Sequence, residues 1–425
     1  MKRQDQTILI IGAGAAGLMA ATRLAKRYRV IVLEADDRTG GRIYTTGVTG
    51  FTRPIEAGAE FVHGKLPLTM KLLKKGGISY NESEGNFYRA DETGLHKQRE
   101  MIEGWDGLLK QMKKEKRDMT LDEFLQQHYA GEKYNEFRRH TCNYAEGFDV
   151  ADPAKASMKA LYNEWSDEDR QIYRIPGGYG QIITYLLDEC KKNNAEIITN
   201  SIVKQIDWKK NKVTVFTKDG KQYTGEKCIV TVPLAFLQPA NANAINFNPA
   251  LNSYINAAWE IGYSTVIKVV VEFKEPFWNA YAKNTGFITS DEKIPTWWTR
   301  LPDTVPLLTG WKGGPGAADL GNKTEEEILQ TALQSLSAIF KMPVAELRQK
   351  IMASKVFNWL REEYARGAYS YAYPSSRQAK KILNTPVEDT IFLAGEALYG
   401  KALGGTVEAA LMNGKEVAAK VKKAG

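Results

Sequence analysis

Two stretches of this sequence hold residue types that could do chemistry. The first is residues 7–34, TILIIGAGAAGLMAATRLAKRYRVIVLE, where Gly12, Gly14 and Gly17 follow the G-x-G-x-x-G spacing and Glu34 lies further on. In that pattern the first glycine allows a tight turn and the second lets a pyrophosphate approach the backbone. The third lets helix and strand pack closely, and the acid accepts hydrogen bonds from a ribose. The second stretch is residues 264–273, STVIKVVVEF, a run of β-branched and apolar residues interrupted by Lys268. A lysine there either carries its head to solvent on an apolar stem, or is buried at a cost that calls for a purpose.

Each group needs an element to position it. TILII reads as a buried strand, followed by an Ala- and Leu-rich helix to about Arg27 and a second strand, RVIVLE, ending in Glu34. The helix N-terminus supplies N–H groups and positive dipole to phosphates. Residues 36–45, DDRTGGRIYT, add a second glycine turn with Gly40, Gly41 and Arg42, which suits a pyrophosphate that is neutralised as well as cradled. The contacts expected from this half are Gly12, Gly14, Ala15, Ala16, Gly17, Glu34, Ala35, Gly41 and Arg42. The run at 264–273 reads as a strand, whose alternation puts Lys268 on one face with Val266 and Val270.

At 425 residues the chain is too long for one ordinary core, and two domains are expected. It is 43% hydrophobic and 25% charged, with no apolar stretch of membrane-spanning length. The basic residues before the first apolar run imitate a signal peptide, but Asp5 and the glycine pattern argue against one. Cys142, Cys190 and Cys228 are far apart and odd in number, which fits a reducing, cytoplasmic setting. His63, His96, His128 and His140 lack metal-ligand spacing, so no metal is expected. The net charge of +8 is spread along the chain, and its densest run, KQMKKEKR at 110–117, reads as a solvated helix face rather than a nucleic-acid patch.

The stretch E-A-x-x-R-x-G-G-R, beginning at Glu34, resembles the start of the FAD-containing amine oxidase superfamily. Other landmarks follow in order along nearly the whole chain: IEAGAEFVHG (55–64), YAEGFDVADPAKAS (144–157), RIPGGYGQIITYL (174–186), IVKQIDW (202–208), CIVTVPLAFL (228–237), NWLREEYARGAYSYAYP (358–374) and TIFLAGEALYGKALGGTVEAALMNGKEVAAKV (390–421). The resemblance implies an α/β fold: a Rossmann-like FAD-binding domain of the GR2, amine-oxidase type, interleaved with an α+β substrate-binding domain. The FAD-binding domain would take 1–85, 176–240 and 356–425. The substrate-binding domain would take 86–175, mostly helical, and 241–355.

The resemblance also assigns roles. Gly58, Ala59 and Glu60 belong to the loop running past the flavin edge, and Val203 offers its backbone to the adenine. Trp359, Gly395 and Glu396 complete the cofactor site, with Thr406 and Val407 under the flavin at the start of the last helix. GYSTVIKVVVEFKEPFW (262–278) resembles the monoamine oxidase strand whose lysine, here Lys268, holds a water against the flavin. Tyr369 matches one wall of an aromatic cage around a neutral amine, while Thr406 stands where the second aromatic would be. Ala368 occupies the place of the cysteine that attaches FAD in monoamine oxidases, so the cofactor is expected to be non-covalent. Phe61 and His63 are expected to face the substrate. Glu60 and His63 would receive a cation better than an anion, and the flavin-edge run has no arginine for a carboxylate.

The expectation is therefore a flavin amine oxidase. It would pass hydride from the α-carbon of a primary or secondary amine to flavin N5, yield an imine and then an aldehyde, and reduce O2 to H2O2. Its partners would be a small amine and O2, without nucleic acid or membrane anchor, and with a homo-oligomer left open. An L-amino acid oxidase, a flavin desaturase and a non-catalytic flavin- or partner-binding protein are the alternatives. No acid–base dyad and no Ser/His/Asp set is signalled. Trp297 and Trp298 either shape an apolar entrance or belong to the core.

Overall fold

The computed structural model describes residues 6–98, 102, 104–166, 171–238, 244–400 and 404–424. The basic opening residues 1–5, including Asp5, lie outside it.

Thr7–Ile11, Arg29–Leu33 and Lys227–Val230 alternate between two apolar faces, and both faces are covered. They form the middle of a five-stranded parallel sheet, with Glu196–Ile198 at one edge and Ile391–Leu393 at the other. On one face, Ile8, Ile10, Val30 and Val32 pack against Leu18, Ile182 and Leu411 from the helices Ala15–Leu24, Gly180–Lys192 and Val407–Lys423. On the other, Leu9, Ile11, Ile31 and Leu33 meet Val203, Ile206, Val213 and Val215 of a four-stranded sheet. A parallel sheet covered on both faces explains why these strands read as continuous apolar runs.

The lysine-bearing run becomes the strand Val266–Phe273, buried along its whole length. It sits in a seven-stranded sheet, between Ile351–Asn358 and Leu307–Gly313. Its alternation divides two environments. Ile267, Val269, Val271 and Phe273 enter a core roofed by the helix Glu325–Phe340. Val266 and Val270 point the other way, among Trp359, Ala368 and Tyr369 and among Ala57 and Phe357 respectively. Lys268 lies between them, on the face turned toward the parallel sheet's loops.

Residues 86–175 were expected to be mostly helical, and their later part packs four helices around Leu108, Phe124, Ala145 and Leu161. Their first part differs. Asn86–Asp91 and Gly94–Gln98 form a hairpin at the edge of the large sheet, joined through a parallel pairing with Thr285–Thr289. Phe87 stacking on Phe287 at 5.1 Å couples this hairpin to its neighbour, a cross-strand contact that chain-local periodicity does not carry. KQMKKEKR falls at the end of the helix Trp105–Lys114, with Leu108 and Met112 turned inward and most of the lysines outward.

Candidate active site

A single cavity of about 750 Å³ runs from the C-terminal ends of the parallel strands to the face of the large sheet that carries Lys268. One end is built from backbone. Gly12 has φ +102°, and a Cβ on Gly17 would lie 2.0 Å from the Gly12 carbonyl oxygen, so those two glycines serve the turn and the helix–strand approach. A Cβ on Gly14 would meet nothing closer than 4.0 Å, although Gly14 lines the cavity: there the missing side chain leaves room for a ligand. No side chain caps the helix that follows, and Ala15 and Ala16 of its first turn line the same space.

Glu34 is buried here, accepting the Ala13 N–H at 2.6 Å and the Asp36 N–H at 3.0 Å. Burial outweighs those bonds and raises its carboxyl above the ordinary range. Arg42 donates to Glu396 Oε1 at 2.9 Å and to the Ala368 carbonyl at 2.7 Å. Glu396 also accepts from the Ser370 hydroxyl at 2.7 Å and the Gly405 N–H at 3.2 Å. One carboxylate thus ties the second glycine turn, the tyrosine segment and the approach to the last helix. A backbone cradle, an uncapped helix N-terminus, an acid at the end of the second strand and a half-buried arginine form the donor and acceptor set of a dinucleotide site, so FAD fits here. Among the described residues no cluster of three metal-ligating side chains occurs.

The other end is built from side chains. Lys268 is 0% exposed, and its Nζ donates to Glu60 Oε2 at 2.7 Å and to the Gly58 carbonyl at 3.2 Å. Glu60 also pairs with Arg174 and accepts from Trp298 Nε1 at 3.0 Å. Against strong desolvation, the charges of Lys268 and Arg174 pull the Glu60 carboxyl down to about 2. The expectation that Glu60 would receive an incoming cation is therefore corrected: two protein cations already hold it. Arg174, from the short strand Ile172–Arg174, is in turn committed to Glu60, to the Thr299 carbonyl at 2.7 Å and to the Phe61 ring at 4.3 Å.

Aromatic rings close this end. Phe61 lies 5.7 Å from Phe287 and 5.5 Å from Trp298, and Trp298 lies 5.8 Å from Trp311. His63 meets Phe148 edge-on at 5.3 Å, and its Nδ1 is buried without a hydrogen-bond partner. Burial lowers its pKa to about 4, so it is neutral at pH 7. Tyr369 donates to the Phe148 carbonyl at 2.7 Å, and its ring stands against Gly405, where a Cβ would come within 2.5 Å. Thr406 caps the Val407–Lys423 helix by accepting the Ala409 N–H at 3.1 Å, so that helix aims its positive end at the cavity.

Nearly all the residues expected at the site line this one cavity, including Gly41, Ala35, Gly58, Ala59, Val203, Gly395 and Val407. Gly17 is packed behind the cradle rather than on its surface. Trp359 lines the wall while donating to the Ala57 carbonyl at 2.9 Å. The tryptophan pair divides: Trp297 is core, bonded to the Ile294 carbonyl at 3.0 Å, and Trp298 faces the cavity. Phe148, Phe287, Trp311 and Glu164 are wall residues that sequence reasoning did not name, and Arg174 stands behind the wall as the partner of Glu60. For Arg174 a signal existed, in a lone arginine ending a short apolar strand.

Fold and cavity together describe a protein with a dinucleotide site that fits FAD, and comparison with known proteins places it in a flavoprotein family. A model of the flavin containing amine oxidoreductases matches residues 15–422. The chain belongs to that family. It is 26% identical to polyamine oxidase 4 of Oryza sativa subsp. japonica, over 98% of this chain and 88% of that protein. It is also 26% identical to the human lysine-specific histone demethylase 2, over 98% of this chain but 53% of that protein. The chain thus spans about half the length of such demethylases, and 30% of an Arabidopsis thaliana homologue. Among solved structures, a wild-type putrescine oxidase bound to putrescine superposes with TM-score 0.78 at 21% identity, covering 98% of this chain and 99% of that one. Cyclohexylamine oxidase from Brevibacterium oxydans gives TM-score 0.81 at 20% identity, with 99% of each chain covered. At such identities the structural likeness speaks for the fold. No described helix is long and apolar enough to cross a membrane.

Proposed function

We propose that this chain is an FAD-dependent amine oxidase converting a primary or secondary amine to an imine, which water hydrolyses to an aldehyde. FAD, when bound, supplies the acceptor for a hydride from the α-carbon and passes the two electrons, with two protons, to O2 as H2O2. The observation that carries the reading is Lys268: a cation 0% exposed, on the wall of a cavity continuous with a dinucleotide cradle. Its field stabilises negative charge arriving on the cofactor's reacting edge, and Glu60 fixes where that cation sits. The positive end of the Val407–Lys423 helix adds to that field. Tyr369 and the ring belt exclude water and hold the amine as its neutral form, whose lone pair the oxidation needs.

The dinucleotide end would hold FAD through Gly12, Gly14, Ala15, Ala16, Glu34, Ala35, Gly41, Arg42, Val203, Gly395 and Glu396. Ala368 offers no nucleophile, which supports non-covalent attachment. The interleaved division at 1–85, 176–240 and 356–425 against 86–175 and 241–355 is part of the same reading. Anaerobic bleaching of the bound flavin by amines, with peroxide formed when air is admitted, is the expected result. Bleaching by amino acids alone would replace this reading with an amino-acid oxidase. Lys268→Met should slow reoxidation by O2 at least ~10-fold, the size of one lost charge contact.

A further inference from the structure

We propose that the reaction end of the cavity selects amines with a single amino group on an apolar or aromatic body, and turns away diamines and polyamines. The proposal deepens the amine-oxidase reading and rests on it. The wall is a connected belt of rings: Phe87 on Phe287, Phe287 on Phe61, Phe61 on Trp298 and Trp298 on Trp311, with centroids 5.1–5.8 Å apart. A second ammonium several carbons from the reacting nitrogen would be buried against this belt. A ring face recovers only a fraction of what it costs to take an ammonium out of water, so the group needs a carboxylate.

The acids among the described wall residues are already engaged. Glu60 is held by Lys268 and Arg174, and Glu396 by Arg42. Glu34 stands at the dinucleotide end on two backbone N–H groups. Asp149 accepts from Trp165 Nε1 at 2.9 Å and is hydrogen-bonded to Glu164. Glu164 shares that bond with Asp149 and accepts the Gly404 N–H, and burial pushes its carboxyl up. A cation, by contrast, lines the far side: Arg89, beside His140 at 2.7 Å and Asp291 at 2.9 Å. The chain's net charge of +8 adds a long-range bias against polycations.

The test compares hexylamine with its six-carbon α,ω-diamine on the holoenzyme, a pair differing only in the second amino group. Anaerobic flavin reduction gives the rate, and calorimetry on the chemically reduced holoenzyme, where no turnover occurs, gives Kd. The expected result is a preference of roughly 100-fold for the monoamine in rate over Kd, the scale of one buried unpaired charge. Phe287→Glu, which places a carboxylate on the belt, should narrow that preference at least ~10-fold. Equal or better use of the diamine by the unaltered enzyme overturns the proposal, and loss of that diamine use in Glu164→Gln would name its acceptor. A Kd preference for the monoamine with no bleaching by either compound would sink the amine-oxidase reading while leaving the selectivity standing.

Discussion

At the dinucleotide end of the cavity, the groups that meet the ligand space are largely main chain, drawn from Gly12–Ala16 and Gly40–Arg42 within one short stretch. At the reaction end they are side chains brought together from Glu60, Lys268 and Trp298, distant in the chain, with Arg174 behind Glu60. The first end is specified by where a side chain is missing. The second is specified by charges that are costly to bury and tolerable only in company. The ends should therefore fail differently: the cradle by steric exclusion, the charge cluster by electrostatic imbalance.

The sharpest break of that contrast is at Gly17. Gly17→Val would drive its Cβ into the Gly12 carbonyl oxygen, 2.0 Å away. Loss of bound flavin and of more than ~4 kcal/mol of stability is expected, read from flavin content and a urea midpoint. Glu60→Gln is next. It leaves Lys268 and Arg174 buried, alike in charge and without their shared counter-ion, and should cost ~3–5 kcal/mol. Adding Lys268→Met to Glu60→Gln should restore part of that loss. A double variant no more stable than Glu60→Gln would show that the cluster is not electrostatically coupled.

His63 supplies the pH arm. Its folded pKa of about 4 lies below the unfolded value of 6.5, so the unfolded chain takes up a proton that the folded one refuses. Stability attributable to this group is full above pH 6.5 and declines as pH falls toward 4, by up to ~3 kcal/mol. The difference between the wild type and His63→Phe in urea midpoints across that window isolates it; parallel curves would refute the buried neutral imidazole. Thr406→Ala should cost only ~1 kcal/mol, by removing the cap on the Ala409 N–H. A much larger loss of flavin affinity than of stability there would mean that Thr406 serves the cofactor more than the helix.

The same contrast explains what could be read from the sequence. Gly12, Gly14, Gly17 and Glu34 were legible because their geometry is local: a strand, a turn, a helix and a second strand in one uninterrupted stretch. Lys268 was legible because a cation breaks an apolar alternation, and the family resemblance supplied the direction of its face. The Glu60–Arg174 contact was not, since its partners lie 114 residues apart and meet only where Phe61–His63 pairs with Ile172–Arg174. Trp297 and Trp298 show the limit of periodicity. Neighbours on a strand must face opposite ways, but which faces the cavity depends on register with Leu307–Gly313. The 86–98 hairpin was missed for a related reason, because its reason for being extended is a partner strand near residue 287.

The last helix bears on how this molecule is made. Gly414 lies so close to Ala16 that a Cβ there would sit 2.2 Å from the Ala16 carbonyl oxygen, and Ile391–Leu393 supplies the edge strand beside Lys227–Val230. The nucleotide cradle precedes these packing partners by more than 370 residues, so it leaves the ribosome well before them. Until they emerge the glycine turn has no finished wall behind it. Cofactor capture therefore waits until residues 391–414 have been made, and a nascent chain stalled before residue 391 should hold no flavin.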